Sequence, residues 1–208
     1  MLSNSATPTL LRFTAYTVTL FIATAALPLL AEGDIILFKE NGPIEWFQFG
    51  LLFITSAVFV GGALLVADFR TLFFLLAAIT AFAAIRELDS FLHKLIPSTG
   101  WKIAFPLVLY ALFLGYAKQE YFKRQLPQFF TTRAFAILWA GFLVAVPFGQ
   151  LVGHGAFLQL VMGDEYNRDY KRVIEEILEV MGYVLLLIGS FESIVQLKTP
   201  RCGACQPT

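Results

Sequence analysis

Six runs of predominantly apolar residues follow one another along the chain, at 10–31, 45–67, 71–93, 103–117, 134–153 and 173–197. A helix needs about 20 such residues to cross roughly 30 Å of hydrocarbon, and all but the fourth run reach that length. None shows the strict alternation of a barrel strand, and unsatisfied backbone amides are costly in lipid, so each run is expected to be a helix. Turn chemistry punctuates the joins: Asn41-Gly42-Pro43 before the second run, Pro97-Ser98-Thr99-Gly100 before the fourth and Pro127 between the fourth and fifth. The pattern predicts an all-α bundle of six transmembrane helices, one domain over 1–198, with a short tail at 199–208.

Within the first run Arg12 precedes an unbroken apolar stretch, as in a signal peptide, but that stretch exceeds the usual apolar core of such a peptide. Its small-residue pair Ala25-Ala26 lies inside the run, so it is read as a retained helix. Composition agrees: 58% of the 208 residues are hydrophobic and 14% charged, against about half and a quarter in soluble domains. The 15 basic and 15 acidic residues cancel, and no basic run marks a nucleic-acid partner. Membrane lipids are the expected surroundings, with a membrane-protein partner or a second copy of the chain also open.

An even number of crossings returns both ends to one side. That side receives Arg12, Arg70, Lys118, Lys123, Arg124, Arg133, Lys198 and Arg201, and the other receives the remaining seven of the 15 basic residues. The connection at 118–133 carries four basic residues and one acid, Glu120, which argues for both termini in the cytoplasm.

Threading the chain this way gathers most of its reactive groups at the opposite, periplasmic face. Glu45 opens the second span behind Pro43, where an acid suits the positive end of the helix dipole. At about 1.5 Å per residue from Thr71, Arg86 lies roughly 22 Å and Asp89 roughly 27 Å up the third span, with Glu87 between them and His93 at the surface. Glu179 lies about 9 Å inside the sixth span, near the depth of Arg86, so an Arg86 contact to Glu179 or Glu176 is expected. Glu175 shares the face of Glu179, and His154 sits between Gly153 and Gly155 at the end of the fifth span. Each also has a plainer reading: Glu45 as a helix-start charge, His93 as a solvated side chain, His154 as part of a hinge, and the Glu175 to Glu179 acids as partners of Lys171, Arg172 and Arg86.

Asp89, His93, His154 and Glu175 form a candidate ligand set for a divalent metal, zinc, iron or manganese, able to activate water at the level of lipid head groups. No HExxH, GxSxG or ExxH motif accompanies them. Through Asp89, His93 and His154 the chain resembles transmembrane ceramidase-type hydrolases, which use seven spans and three histidines. With two histidines and six expected spans, no catalytic assignment carries over. The segments Glu40-Asn41-Gly42-Pro43-Ile44-Glu45-Trp46, Arg86-Glu87-Leu88-Asp89 and Glu175-Glu176-Ile177-Leu178-Glu179, with Met181-Gly182-Tyr183 beyond, resemble a group of small bacterial inner-membrane proteins. That resemblance implies six spans and a bacterial inner membrane, and no particular activity.

Cys202 and Cys205 form a lone CxxC in the tail, without the βαβ context of a thioredoxin. In the cytoplasm it is expected to be reduced. Three function classes remain: an accessory or structural membrane protein, favoured by Phe-rich stretches such as 69–82; a metal-dependent hydrolase of lipid-linked substrates; and a small proton-coupled transporter, indicated by intramembrane Arg86, Glu179 and Glu192. Pro106 and Pro147 could kink their spans, whereas no repeated halves are evident.

Overall fold

The computed structural model describes residues 6–31, 38, 42–152 and 154–198, all but a few of them helical. The CxxC tail, Gly153 and the Glu40-Asn41 pair lie outside the described residues. Helix α1 spans Ala6–Ala31, α2 Pro43–Leu65 and α3 Arg70–Glu87, and a short α4 covers Asp89–Leu95. There follow α5 (Phe105–Ala117), α6 (Gln119–Phe130), α7 (Arg133–Leu143), α8 (Gly149–Val152), α9 (Gly155–Met162) and α10 (Arg168–Lys198). Six helical stretches among the described residues are long and apolar enough to cross a membrane, and they match the six apolar runs in order. The fold is an all-α polytopic bundle.

The helices pack as an open arc, α5 on α3, α3 on α2, α2 on α10 and α10 on α7, with α1 laid along α10. Small residues set the tightest seam. A Cβ at Gly182 would lie 2.5 Å from the Ala145 Cβ and 2.7 Å from the Gly141 carbonyl, so only glycine lets α7 and α10 approach this closely. Gly62 does the same for α2 and α3, since a Cβ there would stand 2.8 Å from the Phe73 ring. Phe73 and Phe69 are buried, Phe73 against Phe59, so this part of the Phe-rich stretch is core rather than lipid-facing or partner-facing surface.

Two joins differ from the pattern-based expectation. The third span does not run on to His93. Leu88 leaves helical geometry (φ −92°, ψ 14°), and Asp89 begins the separate α4, whose carboxylate accepts the Trp101 backbone N–H at 3.0 Å. Arg86 and His93 therefore do not share one continuous helix. Pro127, expected as punctuation, lies within α6, a helix with one strongly polar face. Gln125 buries its amide on the bundle side of α6, donating to the Asp68 carbonyl at 2.7 Å and accepting from the Leu72 N–H at 3.0 Å. Those bonds hold α6 against the start of α3 despite the hydrogen bond that proline cannot donate.

Candidate functional site

Two half-buried acids of the candidate cluster come from α10. Glu176 and Glu179 are three residues apart, one turn of helix, and both meet the second turn of α2. There Gln48 is fully buried, although nothing in its sequence context marks it for chemistry. Its Nε2 donates to Glu176 Oε2 at 2.7 Å and, at the longer distance of 3.4 Å, to Glu179 Oε2. One neutral amide is thus shared between two carboxylates. The other end of the same amide, Oε1, is buried without a hydrogen-bond partner among the described residues. An amide carries two donors and an acceptor, so this acceptor is left idle.

A third carboxylate closes the group. Glu87, the last residue of α3, accepts the Tyr183 hydroxyl at 2.6 Å and an Arg86 N–H at 3.4 Å. Tyr183 follows Glu179 by one turn of α10, which puts its ring beneath the acid pair. Glu45 and Glu87 both lie within electrostatic reach of Glu176, and Glu87 within reach of Glu179. Carboxylates from three helices thus act on the Glu176 and Glu179 pair, with Arg172 and Arg86 opposing them.

The remaining sequence candidates go elsewhere. The ion pair that Arg86 makes is with its neighbour Glu87 at 3.4 Å; of the two expected partners, Glu179 acts on it electrostatically, and the Arg86 side chain stays about half exposed. Glu175 pairs with Lys171 at 3.3 Å, as the plainer reading of it had it, while still acting electrostatically on Glu179 one turn along. His93 is exposed on α4. A Cβ at Gly100, whose φ is +50°, would stand 2.8 Å from Asp89 Oδ1 and 3.1 Å from His93 Nδ1, so Asp89 and His93 enclose a tight turn. His154 is exposed at the N-cap of α9. The candidate metal set of His93, His154, Asp89 and Glu175 does not assemble: among the described residues no three His, Cys, Asp or Glu side chains converge to hold a metal ion. The break at Leu88 and the Asp89 bond to Trp101 are the physical reason, since they tie half of the set into a local turn.

A second polar site, also unforeseen as a constellation, lies further along α10. Glu192 is fully buried and accepts three donors: Arg12 at 3.4 Å, the Tyr16 hydroxyl at 2.5 Å and Gln196 at 2.6 Å. Its signal in the sequence is a pair of i, i+4 spacings, Arg12 with Tyr16 and Glu192 with Gln196, each placing two polar groups on one face of an otherwise apolar helix.

Span five passes the acid pair in an irregular form. Between α7 and α8 the backbone widens into a π-helical turn, Val144–Phe148, that contains Pro147. The kink expected at this proline takes the form of that turn, which avoids the clash proline would cause in a regular helix and sits at a discontinuity of the kind often found at working sites. The next residue, Gly149, faces Leu178, the neighbour of Glu179. Comparison of the chain with family models, with curated proteins and with solved structures finds no match.

Proposed function

We propose that the chain is a small proton-coupled carrier of a bacterial inner membrane, a multi-pass protein with both termini in the cytoplasm, in which Glu176 and Glu179 hold the transported proton. The observation that carries this reading is the sharing of one buried neutral amide by two carboxylates inside the bundle. Ionisable groups at such depth are costly and mark ion or proton pathways by default. Two acids meeting at one donor need a positive charge between them, and a proton is the smallest that can come and go.

The chemistry of Gln48 fits the exchange. With both acids ionised, its N–H bonds face them. When a proton arrives, one carboxyl becomes a donor, and turning the amide by half a revolution offers Oε1 as its acceptor. Tyr183 and Arg86 hold Glu87 in place beside the pair as the charge changes. The π-helical turn in span five supplies an irregular backbone next to the acids, a feature of carriers in which one part of the bundle moves against another. The basic connection at 118–133 supports the orientation, and the resemblance of three segments to small bacterial inner-membrane proteins supports the setting.

The test is reconstitution into proteoliposomes loaded with a pH-sensitive dye and challenged with a panel of small organic cations, anions and neutral metabolites. Solute-dependent proton entry that disappears in Glu179→Gln supports the carrier. Dye traces matching protein-free vesicles for every solute overturn it and leave the accessory role as the better reading.

A further inference from the structure

The arc of helices is not closed. Between α3 and α7 runs a cavity of about 500 Å³, within the range of small-ligand sites, about 300–1,000 Å³. Phe59 and Leu186, from α2 and α10, line it, and Phe130 of α6 contributes at one end. Ile79 and Trp139, on the two flanking helices, line it while about half exposed, so the cavity opens sideways toward the surroundings of the bundle. Leu72 and Arg86, both on its wall, are 14 residues apart along α3, roughly 21 Å, which exceeds the roughly 15 Å depth of one leaflet.

The wall is apolar except at the Arg86 end. Thr80 bonds back to the Leu76 and Ala77 carbonyls of its own helix, and the Tyr183 hydroxyl is committed to Glu87. Arg86 has five N–H donors, and its contact with Glu87 uses one of them. A cation with donors unused among the described residues thus stands at the mouth; the Glu87 carboxylate lies against it at 3.4 Å, behind the cavity wall, and Glu179 also acts on it electrostatically. A purely anionic ligand would meet those acids as well as the guanidinium. A head group with a phosphate beside a primary ammonium matches both signs at once.

We infer that this groove binds one molecule of a zwitterionic aminophospholipid, its acyl chain lying between α3 and α7, its phosphate on Arg86 and its ammonium toward Glu179 and Glu87. The site shares Glu179 with the proposed proton pair, but its test reads lipid retention alone, which a failure of proton transport leaves unchanged.

Native mass spectrometry of the purified full-length chain, with phosphatidylethanolamine, phosphatidylcholine and phosphatidylglycerol of matched chains added in equal amounts, checks it. One phosphatidylethanolamine per chain is expected, retained on the order of tenfold over either competitor, the scale of one charge-assisted hydrogen bond. Arg86→Gln lowers that retention by about the same factor, and Ile79→Trp, which fills the groove from its exposed rim, abolishes retention of all three. Glu179→Gln removes the preference over phosphatidylglycerol. Equal retention of the three lipids by the native sequence, undiminished retention by Ile79→Trp, or a second protein chain in the place of lipid overturns the proposal. A second measurement leaves the site untouched: with Trp46 and Trp101 changed to Phe, chain-brominated phosphatidylethanolamine quenches Trp139 fluorescence more than the brominated phosphatidylglycerol does. Equal quenching by the two overturns the site.

Discussion

Helix α10 carries buried acids at two levels, and they are treated in opposite ways. Glu192 receives a guanidinium, a phenol and an amide, which use its lone pairs and tie α1 to the bundle. Glu176 and Glu179, about 20 Å away along the same helix, share one amide between them and face two further carboxylates. A carboxylate with matched donors holds a structure together and gains nothing from losing them. A pair with too few donors for its charge is ready to take up a positive charge, which is the property a carrier site needs. The same residue type, in the same helix, is thus a pin at one level and an unfinished site at the other.

The largest effect that separates the two levels is expected for Glu192→Ala, which leaves Arg12 and Tyr16 facing a void. About 3 kcal/mol of stability should be lost, the scale of breaking a buried pair, read as earlier thermal unfolding in detergent. A smaller loss, of about 2 kcal/mol, is expected for Gly182→Ala in the seam between the levels, where the added methyl meets Ala145 and the Gly141 carbonyl. Unchanged unfolding of that variant would show that α7 can move away freely. Tyr16→Phe keeps the ring and removes one donor from Glu192, and about 1 kcal/mol is expected from the same measurement. At the other level, Glu179→Gln should leave unfolding within about 1 kcal/mol of the native chain or raise it, because a like charge is removed. Were Glu179→Gln to destabilise as much as Glu192→Ala, the contrast would fail and both acids would be structural.

Much of this was readable before folding. The six spans, Pro43 at the first position of α2 and Glu45 in its first turn follow from apolar length and local cap chemistry. Other features turned on contacts distant in sequence. The third span reads as continuous to His93 in pattern, yet it ends at Glu87, because the Asp89 carboxylate finds the Trp101 amide 12 residues on. The same turn withdrew Asp89 and His93 from the expected polar cluster and from the metal set. Gln48 was not legible as a site residue, since one polar side chain near a helix start has many ordinary uses. Only its burial against Glu176 gives it a role.

The amino-acid order alone determined that the chain is helical, how many helices can cross a bilayer, and that its acids are concentrated toward one set of helix ends. These follow from local properties, apolar length, turn residues and rise per residue, which each segment carries by itself. Which acids meet, which donors they receive, and where the bundle stays open were decided by packing. Glycine seams bring α10 against α7, the Gln48 amide reaches across from α2, and α3 stands apart from α7 with Arg86 at the mouth of the gap between them. A hydrogen bond depends on a few tenths of an ångström, and no spacing along the chain fixes that until the helices are in contact.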